Sequence, residues 1–181
     1  MLKKLNTDWH KQGLWILFII SVAHLVEHFF QMFQIWALGW EPHDAGGLLG
    51  WFYPWLMESE VLHYAFAFIM LVGLIILRPG FRDKSRVWWD TAIIIQIWHH
   101  FEHLLLISQA LMGENLWGSP VPISILQLFF PRAELHFVYN MIVFVPMCIA
   151  MYIHRHNAVS CSCATFGKEN KIRILFPFCW E

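Results

Sequence analysis

Long apolar runs alternate with short polar stretches along this chain. Four segments, approximately 14–38, 58–77, 87–111 and 133–153, reach or approach the roughly 20 residues that a helix rising about 1.5 Å per residue needs to cross about 30 Å of hydrocarbon. Each predicts a membrane-spanning helix. Pro79-Gly80 closes the second run, which carries Glu58, Glu60 and His63 at its start. In the first and third runs the apolar pattern is broken in phase. "AHLVEHFFQ", residues 23–31, sets His24, Glu27, His28 and Gln31 at i, i+3, i+4 and i+7, with Gln34 near the same line. Those spacings share one helical face. "QIWHHFEHL", residues 96–104, does the same with Gln96, His99, Glu102 and His103, and His100 lies on the flank.

The two interruptions match. H-x-x-E-H occurs at 24–28 and again at 99–103, 75 positions on, and Gln34 is likewise matched by Gln109. The runs that follow each open with an acid and a Leu-His pair: Glu60 and His63 in "EVLHY", Glu134 and His136 in "AELHF". The pattern predicts an all-α integral membrane four-helix bundle made of two tandem-duplicated helical hairpins, at about 14–78 and 87–153. An even number of spans separates the copies, so they share one orientation, with the pseudo-two-fold axis along the membrane normal. Residues 1–156 form the four-span unit on this reading. Residues 157–181, which have no counterpart in the repeat, form a cytoplasmic or interfacial tail whose order is doubtful.

Composition agrees with a lipid setting. Of the 181 residues, 58% are hydrophobic and 14% charged, against about a quarter charged in soluble domains. Many of the 11 tryptophans sit at run ends, among them Trp15, Trp36, Trp40, Trp88 and Trp117, as in an interfacial aromatic belt. The net charge of −1 and the lack of a basic stripe exclude a nucleic-acid partner. Lys3, Lys4 and Lys11, then Arg78, Arg82, Lys84 and Arg86, then Arg155, Lys168, Lys171 and Arg173 flank one side of the spans, whereas segments 39–57 and 112–131 hold no Lys or Arg. The positive-inside rule therefore predicts both termini in the cytoplasm. The run after Lys3-Lys4 is too long for a signal-peptide core and is expected to be retained. The aromatic outer loops are expected to lie as short amphipathic helices or caps. Cys161-Ser-Cys163 alone carries no metal or redox assignment.

The chemistry rests on the polar stripes, because ionisable groups inside a membrane are functional by default. His24, His28, His63, His99, His103 and His136 are expected to converge as metal ligands, and a His pair at i, i+4 is a natural helical chelate. Glu27 and Glu102 are the candidate catalytic carboxylates, to bridge, ligate or move protons. His100, Glu60, Glu134, Gln31, Gln34, Gln96 and Gln109 are candidates for additional or supporting positions. His43, His154 and His156 are expected at the surface, and His10 at the interface. Two equivalent half-sites point to two metal ions, iron or copper ahead of zinc. Their expected use is redox chemistry, in an oxidase or hydroxylase acting on a small apolar substrate or in an electron-transfer subunit beside other membrane subunits. Three alternatives stay open. Paired histidines at one depth could clamp b-type haem. H-x-x-E-H, a string also found in inverzincin proteases, could serve an intramembrane zinc hydrolase. A His/Glu chain could conduct protons or metal ions.

Overall fold

The computed structural model describes residues 2–57 and 59–166, except the side chains of residues 56, 57 and 157–166. Helix is the sole regular structure among them. In chain order the helices are α1 (Leu2–Leu5), α2 (His10–Trp36), α3 (Gly47–Phe52), α4 (Pro54–Met57), α5 (Glu60–Leu77), α6 (Asp83–Met112) and α7 (Arg132–Phe166). Single 3-10 turns occupy Arg78–Gly80, Leu116–Gly118 and Leu126–Leu128. Glu58, the cysteine pair Cys161/Cys163 and the chain from 167 onward lie outside the described residues or side chains.

The long elements start and stop where local chemistry requires it. Pro79 cannot donate its nitrogen to a continuing helix, so α5 tightens into the Arg78–Gly80 turn. At the start of α6 the Ser85 hydroxyl donates to the Arg82 carbonyl at 2.6 Å and accepts from the Arg82 N–H at 3.3 Å. At its end, Gly113 takes the left-handed conformation, φ 71°, that glycine adopts without steric cost. Arg78 then pins α5 to α6 through a two-pronged ion pair with Asp90, 2.6 and 2.8 Å.

α6 packs against both α5 and α7, and α2 touches both α5 and α7, which closes the circuit. One half of the interior is apolar. Leu14, Leu17, Met70, Leu74, Leu77, Phe81, Trp89, Val143 and Met147 fill it, and the Trp89 indole N–H, which must find an acceptor when buried, donates to the Leu74 carbonyl at 2.8 Å. The other half of the interior holds six of the histidines.

Three helical stretches are long and apolar enough to cross a membrane: His10–Trp36, Glu60–Gly80 and Arg132–His156. The expected third span, α6, is 30 residues long but is not among them. Asp83, Lys84, Arg86 and Asp90 in its first turns, with Gln96, His99, His100, Glu102, His103 and Gln109 further on, lower its hydropathy. Those groups are not spread around the cylinder. Gln96, His99, Glu102, His103 and Gln109 are all buried, while Val87, Ile94, Ile97, Phe101, Leu104 and Leu111 are exposed. Past Asp90, α6 thus buries most of its polar groups along with Ile93, Leu106 and Ile107 and exposes mainly apolar side chains, unlike the polar outer face of a helix on a water-soluble core.

Candidate metal centre

The i, i+4 spacing of His24 and His28 on α2 stacks their rings one turn apart, with centroids at 4.6 Å and planes at 86°. His99 and His103 on α6 have the same separation and the same angle. α5 and α7 each contribute one histidine from their first turns, and the backbone fixes both in one way. His63 Nδ1 donates to the Ser59 carbonyl at 3.1 Å, and His136 Nδ1 to the Arg132 carbonyl at 2.8 Å. A carbonyl can only accept, so both rings carry their proton on Nδ1 and keep the Nε2 lone pair.

These six rings form one cluster. His136 lies at its centre, 4.8 Å from His103, 5.8 Å from His99, 5.9 Å from His28 and 6.1 Å from His63. His63 is also 6.2 Å from His103. Five of the six are buried, and His24 is half-buried. His28 Nε2 and His24 Nε2 stand 3.2 Å apart, while the Gln31 amide holds His28 Nδ1 from behind at 2.7 Å. A cavity of about 10 Å³, lined by His24, Glu27, His28, His63, Leu49, Leu62 and Phe66, lies beside this pair. Among the described residues, no three His, Cys, Asp or Glu side chains already stand as a ready ligand shell around one point.

Both carboxylates have partners in the segments that follow their helices. Neither Glu27 nor Glu102 hydrogen-bonds to a histidine. Glu27 accepts from the backbone N–H groups of Leu48 and Leu49 at 2.8 to 3.1 Å, where α3 begins. Glu102 accepts from the Ser124 hydroxyl and from the Leu126 N–H, the latter at 3.2 Å. The reason is proximity. The segments after α2 and α6 fold back to the two acids and bring them N–H groups, and orphan donors at a helix or turn start are well met by a carboxylate. Gln34 and Gln109 extend the same arrangement. Gln34 accepts from the Gly47 N–H at 2.8 Å and donates to the Gly47 carbonyl at 3.1 Å. Gln109 does the same for Ile123, at 3.3 and 2.8 Å, and also accepts from Leu116 N–H at 2.9 Å.

The remaining candidates divide. Gln96 donates to the Ala67 carbonyl at 3.0 Å and ties α6 to α5. Glu60 pairs with Arg132 at 2.6 Å, joining the first residues of α5 and α7. Glu134 has one buried oxygen without a partner. His100 turns away from the cluster, with its ring against Tyr64 at 5.2 Å and Phe68 at 6.0 Å. His43 and His156 are exposed, as expected, but His10 is buried and His154 half-buried. Two aromatic neighbours of the cluster were not singled out from the sequence. Phe66 stacks on His24 at 4.5 Å, and Tyr139 lies 4.6 Å from His99 with its hydroxyl accepting from Trp98 Nε1 at 2.6 Å. Tyr139 follows His136 by three residues, so helical spacing alone puts the two on one face.

Comparison with protein-family models, with curated proteins and with solved structures returns no match.

Proposed function

We propose that the chain is a four-span integral membrane bundle, built by duplication of a helical hairpin, that holds a pair of redox-active metal ions among the six clustered histidines. The observation that carries this reading is the meeting of six imidazoles from four helices while both nearby carboxylates are hydrogen-bonded into loops. An all-imidazole donor set suits copper, and the bridging carboxylates of di-iron bundles are not offered here. Copper therefore ranks ahead of iron, and iron ahead of zinc.

Two details support an ion rather than a packed polar core. Ligand nitrogens on one tetrahedral ion, bonded at about 2.0–2.1 Å, stand roughly 3.3 Å apart, and the His24 and His28 Nε2 atoms are 3.2 Å apart. The Nδ1–H bonds of His63 and His136 are of the kind that orient a ligating imidazole. Small rotations of rings already in contact would complete each shell. Haem is disfavoured by the same packing. The His28 and His136 rings stack face to face at 5.9 Å and 6°, without the slot a macrocycle needs between axial ligands.

The membrane reading rests on the three apolar helices and on the inverted polarity of α6, whose polar residues face the other helices and whose exposed surface is hydrocarbon. With both termini on the cytoplasmic side, the cluster lies toward the outer half of the bilayer. The chemistry is one-electron exchange or oxygen activation at that depth, with a partner membrane subunit or a small apolar substrate reaching it through lipid.

Metal analysis, visible absorption and electron paramagnetic resonance of the full chain purified in detergent test the proposal. Copper at a pair of ions per chain, lost in His28→Ala and His136→Ala, is the expected result. A Soret band would replace the reading with haem. Stoichiometric colourless zinc would point to a hydrolase, and ion flux in liposomes without bound metal to a conduit.

A further inference from the structure

His10 opens α2 at the end of the molecule remote from the cluster, fourteen residues before His24, or about 21 Å along the helix. It is 6% exposed, and neither ring nitrogen has a hydrogen-bond partner. Nearly all buried polar atoms are satisfied, and each exception calls for an explanation such as a missing ion or water. Leaving a buried donor or acceptor unsatisfied is costly, and this ring carries two such atoms.

The surroundings make room for the imidazole rather than exclude it. Gly80 runs so close that a Cβ there would strike the His10 ring. Phe81 presents its ring to His10 at 5.4 Å and 75° and is itself stacked on the buried Trp89 at 4.1 Å. The remaining ring in contact is a second imidazole: His154 of α7, with centroids 5.2 Å apart at 80°. His154 is also 4.9 Å from Phe81. Two imidazoles bound to one tetrahedral ion at about 2.0–2.1 Å have ring centres roughly 5 Å apart.

We infer that His10 and His154 form a second transition-metal site, separate from the six-histidine cluster, that takes an imidazole-preferring ion such as zinc or copper. Two ring nitrogens supply the protein ligands. Water enters from the half-buried His154 side and completes the coordination. Phe81 and Trp89 wall the other side, which leaves hard cations such as magnesium or calcium, with their demand for oxygen ligands, without a shell. This inference does not depend on what the larger cluster binds.

The test is a zinc and copper titration of the full chain in detergent, comparing the wild type with His154→Ala, His10→Phe and the double variant. The saturating metal count should fall by one ion per chain in each single variant, with no further loss in the double. His136→Ala, which disables the larger cluster, should retain this ion. Zinc should raise the unfolding midpoint of His136→Ala but not that of His136→Ala/His154→Ala. Should His10→Phe fail to fold, the His154 variants at the less buried position still decide the matter. An unchanged metal count and midpoint shift in the His154→Ala background would overturn the inference and leave His10 as a packing group.

Discussion

His63 and His136, 73 positions apart near the starts of α5 and α7, use the same nitrogen for the same task. Each donates Nδ1–H to the carbonyl four residues earlier, and their rings stand 6.1 Å apart. Both keep an Nε2 lone pair inside the cluster. Loss of an orienting hydrogen bond to a ligating histidine typically costs 10–100-fold in metal affinity, so loss of the ligand itself should cost more than about 100-fold. His136→Ala, at the most connected ring, is expected to lose cluster metal to that extent, and His63→Ala likewise. Equilibrium competition with a chelator measures it, and undiminished affinity in both variants would remove these residues from the ligand set.

Glu102 separates a positioning role from a ligating one. Its carboxylate holds the buried Ser124 hydroxyl and the Leu126 N–H. Glu102→Ala leaves both without their acceptor, at about 1–3 kcal/mol each. The expected outcome is a lower unfolding midpoint with metal content retained. Metal loss at unchanged stability would instead make Glu102 a ligand and return the site to the di-iron pattern.

Bound metal stabilises the folded chain by mass action, since the unfolded chain lacks the assembled site. At a free concentration 100 times Kd the gain is about 2.7 kcal/mol. Chelator treatment of the metal-loaded protein should therefore lower its unfolding midpoint, and readdition of copper should restore it. In His28→Ala/His136→Ala the chelator should have far less effect. An equal chelator effect in that variant would place the stabilising metal elsewhere in the chain.

The polar stripe was legible in the sequence because histidine and glutamate inside an apolar run stand out, and their spacing fixes the face they share. The convergence of His24, His28, His63, His99, His103 and His136 follows from that spacing and from where each run begins. The direction of Glu27 and Glu102 does not. Both lie on the stripe, and only the fold of segments 39–57 and 113–131 supplies the N–H and hydroxyl groups that they accept from. His10 was missed for a related reason. Its position ahead of the first run suggests the interface, whereas the turn at Pro79-Gly80 brings Phe81 against it and α7 brings His154. α6 falls short of the hydropathy of the other three long helices because its polar groups, buried ones such as Gln96, His99, Glu102 and His103 included, count in the average alongside its exposed apolar residues.

Gly47 offers a controlled test of the loop-to-helix contact. Its φ is +71°, and a Cβ there would lie 2.5 Å from Glu27 Oε2 and 3.0 Å from the Glu27 carbonyl oxygen. Gly39 has nearly the same φ, +69°, with nothing within 4 Å. Left-handed backbone costs a residue with a Cβ roughly 1–2 kcal/mol. Gly39→Ala should lose that alone. Gly47→Ala should lose more, because the backbone oxygen of α2 cannot move aside. Chemical-denaturation midpoints of the two variants provide the comparison, and equal losses would mean that Glu27 does not sit against the start of α3.

Gln34 and Gln109 carry the last prediction, which concerns the two loops as separate units. Gln34 makes a reciprocal pair of hydrogen bonds with Gly47, and Gln109 makes one with Ile123 and adds the Leu116 N–H and the Leu105 carbonyl. Replacement by leucine strands the loop groups in each case, and Gln109 has more of them. Gln109→Leu should be the more destabilising change, with each stranded buried group costing about 1–3 kcal/mol. The glutamines hold different loops and share no partner, so the double variant should equal the sum of the singles within about 0.3–0.5 kcal/mol. Limited proteolysis adds a spatial readout. Gln34→Leu should open segment 39–57 to cleavage and leave 113–131 protected, and Gln109→Leu should do the reverse. Cleavage of both loops in either single variant, or strong coupling in the double, would show that the two caps act as one structure rather than as two copies of one device.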